Sequence, residues 1–542
     1  MTDIKILPDK PVDVFIVGGG LAGLSLALQI KQARPETSIV VAEKRQHPVP
    51  KAAFKVGEST VEGAGYYFSE VLGLKEYLEQ EHLFKYGFRY FFAEGNNEDI
   101  TKRFELASIP YYFENHPPHT RTYQLDRGKF ENKLGEELCR HGVIFLHDCQ
   151  VHTLTLNSAD SHTCRIMLGD GSECIVTARW VVDASGRAGF LKRQLNLTEK
   201  VEHDVNAAWF RMNKIITVQD WNDDPKWQAR FDPRLRRLAT NHLMGQGYWV
   251  WLIPLADDLT SVGIVADNSL HPFNQINRRE RALSWLKKHE PQCAQEVAKS
   301  EMLDFMVLKH YAHSCKQVFS SNRWAITGVA GVFTDPLHSL GSDLITVSNT
   351  MITDMILREL DGEDIGDRVD FMNRFYLDFM YKILLLNVQN QYPLFDNSFV
   401  YMAKELWTAV WYFTIVFPLI YNHKLTDCEY LSSIEEDLSR FYKLHSRVQA
   451  FFHELYIQGP DKCRKSHKVY TYLTCFYGLV NPEKLSDGQL KKRLVEQLSI
   501  LENVAASMFQ QIETPPEFMD VLPQNLDTNM ITELKRFWRS LT

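Results

Sequence analysis

The chain has 542 residues, 45% apolar and 24% charged, with 60 basic side chains against 68 acidic ones and a net charge of −8. Single cores stop growing near ~250–300 residues, so two or three lobes are expected, and this balance excludes a disordered, collagenous or coiled-coil chain. The negative balance argues against nucleic acid as a partner, which would demand a basic field.

Val12–Val17 reads as a strand, and LAGLSLALQIKQA after it as a helix. Residues 38–42 form a second strand, ending at Glu43 with Lys44 beside it. This strand–turn–helix–strand start implies a parallel sheet. Residues 67–81 read as a helix, 86–94 as an aromatic strand, 100–125 as loop, and 129–140 as a helix. Strands follow through 143–155, 163–168 and 174–183, and alternating short strands continue from about 205 to 270. Beyond about 350 the spacing of Ile352, Met355, Ile356 and Leu360 is helical. The apolar run 406–421 contains Pro418 and is flanked by Lys404, Glu405 and Lys424. At sixteen residues it is shorter than the ~20 needed to cross a bilayer. It is therefore expected to be a buried or pocket-lining helix, with peripheral membrane contact as the alternative.

Nine cysteines are scattered with no Cys-x-x-Cys, which argues against a disulfide framework or structural zinc and fits a reduced, cytoplasmic compartment. No secretion signal is read at the N-terminus. The close histidine pairs, His116 with His119 and His310 with His313, lack a third ligand at motif spacing, so no metal is expected.

Gly18-Gly19-Gly20-Leu21-Ala22-Gly23 satisfies G-x-G-x-x-G between the first strand and helix, with Glu43 at the next strand end. Gly18 serves the turn, Gly20 a close backbone approach to a pyrophosphate, and Gly23 close helix–strand packing, while the helix N-terminus offers free N–H groups. Glu43 can accept from ribose hydroxyls. No second such site occurs, so one dinucleotide is expected, its electrons arriving from outside. The strand ends at Asp183-Ala-Ser-Gly186-Arg187 and at Gly328 before Asp335-Pro336 resemble those of glutathione-reductase-type FAD folds. That resemblance implies an α/β, Rossmann-like FAD core, with an interleaved β-sheet substrate module and a helical C-terminal region. The modules are set at 1–195 and 321–360 for FAD, 196–320 for the substrate side, and 361–542 for the helical cover.

Three segments extend the resemblance. Lys55-Val56-Gly57-Glu58-Ser59-Thr60 looks like the Gly-Glu strap beside the flavin in flavin-dependent halogenases. Trp249-Val-Trp251-Leu-Ile253-Pro254 matches that family's W-x-W-x-I-P signature, and Phe333-Thr-Asp335-Pro336-Leu-His338-Ser339-Leu340-Gly341 its F-x-x-P-x-x-S-x-G signature. The chain is thus similar to the flavin-dependent halogenases over roughly residues 10–360.

The resemblance implies that reduced FAD from a separate NADH-dependent reductase, oxygen, and chloride or bromide yield hypohalous acid. The oxidant then travels to an aromatic ring, free or carrier-tethered, held away from the flavin. It assigns Val56, Gly57, Asp335 and Pro336 to the cofactor and the Leu340–Gly341 turn to the halide. Trp249, Trp251 and Pro254 fall to the passage between flavin and substrate, although a tryptophan pair alternating on a strand is also ordinary core. Lys85, before an aromatic strand, is the candidate amine that holds or carries the halogen, although a lone lysine is ordinarily solvated. Lys55 is expected at the cofactor edge or in solvent. Tryptophan halogenases carry a glutamate where this chain has His338, which makes tryptophan a doubtful substrate. His338 is either a base for a phenol or a packing group. A flavin hydroxylase or lipid-type reductase on the same fold is the competing reading, and a non-catalytic flavoprotein a third.

Overall fold

The apolar runs Val12–Val17 and Ile39–Ala42 lie side by side as parallel strands, the arrangement expected where both faces of a sheet are covered. In the computed structural model, which describes residues 10–50, 55–108, 121–230, 233–458, 470–471 and 484–510, they sit within a sheet ordered Phe319–Ser320, Trp324–Ile326, Glu173–Asp183, Val12–Val17, Ile39–Ala42, Ile144–Leu146. All these pairings are parallel except the first. Cys149–Thr155 and His162–Leu168 extend the long strand Glu173–Asp183 as an antiparallel ribbon. Helix Leu21–Ala33 packs against helices Arg127–Arg140 and Gly341–Leu360. The expected Rossmann-like core is present.

A second, mostly antiparallel sheet runs Met306–Leu308, Val205–Met212, Thr260–Asp267, Tyr248–Pro254, Thr240–Gly245, Phe88–Phe92, Glu105–Ser108, Tyr470–Thr471. Side chains alternate along a strand, and Tyr248–Pro254 uses that alternation to serve two cores. Trp249, Trp251 and Ile253 enter the main core shared with the first sheet, whereas Tyr248, Val250 and Leu252 enter a smaller one behind. The main core continues into helices Ser398–Trp411, Glu435–Gln458 and Asp487–Gln510, joining Val12 to Ala505 in one apolar cluster.

Several expectations change. The helix read over 67–81 begins earlier, as Glu62–Tyr66, passes through a π-turn at Tyr67–Val71 and stops. Gly73, at φ +66°, turns the chain before Lys75–Glu81. Residues 100–125, read as loop, contain the 3-10 turn Ile100–Lys102 and strands Glu105–Ser108 and Tyr123–Gln124. Glu105–Ser108 is a strand because it pairs with Phe88–Phe92, a partner that local sequence does not announce. Those two strands lie inside the 1–195 stretch yet run in the second sheet, so the lobes interleave there.

The apolar run 406–421 is buried, as the end of Ser398–Trp411, a π-turn Tyr412–Val416 and the short helix Phe417–Tyr421. Among the described residues no helix is long and apolar enough to cross a membrane. Lys404 and Glu405, read as its charged flank, are buried with it. Seven of the nine cysteines are described, and all seven are free; Cys463 and Cys475 lie outside the described residues, as do His116 and His119.

Candidate active site

At the nucleotide end the glycines meet the demands read from their spacing. Gly18 has φ +111°, and a Cβ there would lie 2.4 Å from Ala184 O, while one on Gly23 would lie 2.0 Å from Gly18 O. Gly20 precedes helix Leu21–Ala33 with no side-chain cap, and a Cβ on it would find only Lys55 Nζ, at 3.9 Å. The Glu43 carboxylate accepts from Gly19 N (2.7 Å) and Arg45 N (2.9 Å), which holds it beside this turn. Lys44 is exposed at the same strand end. Ala22 packs on the Gly328 turn, where a Cβ would come within 2.9 Å of its own.

Lys55 leans over Gly20 while paired with Glu131 at 2.9 Å, and Glu131 also pairs with Arg127 at 2.6 Å. Burial pushes the Glu131 carboxyl up, but Arg127 and Lys55 outweigh it and hold the group below the ordinary range. An uncapped helix N-terminus, open space at Gly20, flanking cations and an acidic strand end together fit a dinucleotide such as FAD.

Beyond the turn a cavity of about 870 Å³, counting its mouth, opens between the strap and the second sheet. Val56, Gly57, Trp249, Trp251, Pro336 and Gly341 line it. Gly57 has φ +86°, and Arg127 donates to Val56 O at 2.5 Å. The strap is fastened on its far side. Arg211 Nε donates to Glu58 Oε1 at 3.0 Å, Leu125 N donates to Glu58 O, and the Ser59 and Thr240 hydroxyls bond at 3.0 Å. The Glu58 carboxylate, on a residue that lines the cavity, is thus held by Arg211. Burial raises its pKa, with Arg211 opposing. Gly341 opens the helix Gly341–Leu360; Leu340 is its N-cap residue and lies outside the cavity lining, as does Pro254, which ends its strand.

Lys85 is buried at 3% exposure. Its ammonium donates to Thr60 O at 2.8 Å and sits 3.6 Å from the centre of the Phe88 ring. Thr60 O is its one hydrogen-bond acceptor among the described residues. Burial lowers its pKa to about 7, with Glu62 and Asp343 opposing. A chain of rings links this amine to the cavity: Phe88 lies 5.6 Å from His242, which lines the cavity and lies 5.3 Å from Trp249. Burial lowers the His242 pKa to about 3. Its Nδ1 lies 3.0 Å from Arg89 O; a carbonyl only accepts, so Nδ1 carries the proton.

His338 stands 6.2 Å from Phe88 on the other side, with its backbone at φ +64°. Its Nε2 donates to Glu405, and its Nδ1 accepts from Asn387 Nδ2 at 3.3 Å. Both ring nitrogens are engaged, which favours the packing role over the base. Glu405 belongs to a buried polar group that sequence reading missed. Lys404 donates to Asn387 O, to Asn387 Oδ1 at 3.2 Å and to Gln449 Oε1 at 3.1 Å, and burial lowers its pKa to about 7 against the pull of Glu405. Burial pushes Glu405 up, yet His338 and Lys404 more than offset this and hold it below the ordinary value.

Asp335 borders the cavity, but its side chain turns into the protein. Its Oδ2 accepts from His203 (2.8 Å), Tyr311 (2.9 Å) and Tyr392 (2.7 Å), and its Oδ1 from Leu337 N (2.9 Å). The carboxylate has no capacity left for a cofactor, so any cofactor contact at this position falls to its backbone.

A family model described as tryptophan halogenase matches residues 112–376. A flavin-dependent halogenase of Dictyostelium discoideum is 26% identical over 390 residues, 67% of this chain, and the chain spans 63% of that relative's length. A chlorinase of 1H-pyrrole-2-carbonyl groups on a peptidyl-carrier protein, from Pseudomonas fluorescens, is 25% identical over 373 residues, 66% of this chain and 79% of that one. Among solved structures, halogenase PltM with phloroglucinol and FAD shares the fold at a TM-score of 0.63 and 16% identity, over 98% of this chain and 96% of that one. The myxobacterial chondrochloren halogenase does so at 0.56 and 21%, over 70% and 84%. With the glycine turn, the strap and both signatures in one fold, the chain is similar to the flavin-dependent halogenases.

Proposed function

We propose that the chain halogenates an electron-rich aromatic ring, using FAD, oxygen and chloride or bromide. Reduced FAD, when bound, supplies the electrons with which oxygen and halide become hypohalous acid. Gly18, Gly20, Ala22, Gly23 and Glu43 hold its ADP half, with Lys55 and Arg127 balancing phosphate charge; Val56, Gly57 and the Asp335–Pro336 backbone border its ring. The halide lies against amides that open the helix Gly341–Leu360, where an anion meets donors. The nearby carboxyls are otherwise engaged: Glu58 with Arg211, Asp335 with its own donors, and Asp343 in the first turn of that helix with Ala64 N and the Tyr412 hydroxyl, each at 2.7 Å.

Trp249, Trp251 and His242 keep a substrate ring off the flavin while a triatomic oxidant passes. Lys85 receives it. A charged amine donates a hydrogen bond to the oxidant's oxygen, and a neutral one takes the halogen on nitrogen and releases water; with the pKa drawn to about 7, both forms are populated near neutrality. The ring then takes the halogen and gives up a proton. His338 shapes the substrate side through Glu405. The observation that carries this reading is a buried amine, with Thr60 O its one acceptor among the described residues, linked through Phe88 and His242 to the cavity beyond the nucleotide turn.

A phenol or pyrrole, free or carrier-tethered, fits the reading better than tryptophan, and a separate NADH-dependent flavin reductase supplies the cofactor in a cytoplasmic setting. The test combines the protein with such a reductase, NADH, FAD, bromide or chloride, and a panel of phenols, indoles and pyrroles. Halide-dependent product is expected, and Lys85→Ala is expected to abolish it while flavin reoxidation persists. Hydroxylated product without halide dependence would replace this reading with the hydroxylase.

A further inference from the structure

The two cavity tryptophans are held differently. Trp251 donates its indole N–H to Ser261 Oγ at 3.1 Å, within its own sheet. Trp249 reaches outside the sheet, to the Tyr392 hydroxyl at 3.0 Å. Tyr392 opens the short turn Tyr392–Asp396 in the C-terminal half, and its carbonyl also accepts from Gly247 N, so this turn is pinned to the hairpin that carries Trp249. A phenol has one proton and two lone pairs. Asp335 can only accept, so it claims that proton and orients the lone pairs toward the indole.

We propose that Asp335 and Tyr392 are positioning residues that fix the Trp249 ring across the passage between the flavin-side cavity and Lys85, and so set how much oxidant reaches the amine rather than escaping. This rests on the halogenase reading. Burial and the Asp335 charge push the Tyr392 phenol well above its ordinary pKa, so the donor stays protonated across the working range. The indole N–H is the hydrogen-bonding tether of a buried ring whose aromatic neighbours are His242 at 5.3 Å and Trp251 at 5.7 Å. Without that tether the ring is free to tilt toward the cavity it lines, and ångström-scale misplacement is enough to lose transfer.

The test uses full-length holoprotein and measures halogenated product per oxygen consumed, with free hypohalous acid captured by a soluble thioether. Tyr392→Phe is expected to lower product per oxygen by about threefold or more, with captured oxidant rising to match and flavin reoxidation unchanged within about twofold. Tyr311→Phe removes a phenol from the same carboxylate and its 3.4 Å contact with the Tyr392 hydroxyl but leaves the Trp249 tether in place, and is expected to leak less than Tyr392→Phe. Trp249→Phe, which keeps a ring but loses the N–H, should reproduce the Tyr392→Phe leak and serves if that variant fails to fold. A wild-type ratio in Tyr392→Phe or Trp249→Phe, or an equal loss in Tyr311→Phe, overturns the proposal. A wild type that yields neither product nor captured oxidant overturns the halogenase reading instead.

Discussion

Lys85 and Lys404 are the same residue type, both buried and both drawn to a pKa of about 7, yet their surroundings divide them. Lys404 donates to three oxygens and thereby caps the C-terminal end of the helix Lys382–Leu386, where free carbonyls favour a cation. Lys85 donates to one among the described residues, Thr60 O. Sequence marked Lys85 by its place after the strap, but Lys404 beside an apolar run read as a water boundary. Its burial depends on Asn387 and Gln449, distant partners with no local signature.

Because the folded pKa of Lys85 lies below its unfolded value, the folded state binds fewer protons. The penalty is complete below pH ~7 and relieved as pH rises toward the ordinary lysine value of ~10.4. Lys85→Met is therefore expected to raise the melting temperature most at pH 6, with the gain shrinking steadily toward pH 10. A gain independent of pH would mean that this amine is not buried as a charge.

Individual elements show how far a motif carries. The G-x-G-x-x-G turn was legible because each glycine answers a local demand. Gly23→Ala is expected to force the helix Leu21–Ala33 off its strand, since the new carbon would lie 2.0 Å from Gly18 O. Overpacking of this kind destabilises by about 1–3 kcal/mol, and FAD affinity measured by fluorescence quenching should fall by at least tenfold. The strap was legible as a segment but not in its fastening. The motif left the partner of Glu58 unnamed, and only the fold brings Arg211 to it from the strand Val205–Met212. Arg211→Ala leaves that carboxylate buried and unpaired, a loss on the order of 3–5 kcal/mol, read as an earlier urea midpoint. Asp335 followed the same pattern: the motif found its position, and the fold redirected its carboxylate.

At the scale of the whole molecule, one apolar cluster runs from Val12 to Ala505, so the helical C-terminal half is part of the same core as the nucleotide-binding sheet. Periodicity showed that this half was helical but could not show what it covered, because helical spacing reports a buried face and not its neighbour. Thermal unfolding of the FAD-bound protein is accordingly expected as one transition, with flavin release and loss of helix coinciding. Two separated transitions would show lobes that melt independently. The strand Tyr248–Pro254 stands where that shared core meets its smaller neighbour. Substitution libraries confined to 249, 251 and 253 would recarve the cavity wall, while 250 and 252 keep the lobe behind it filled; laboratory evolution has, in this strand, a dial for cavity shape set apart from the one for robustness.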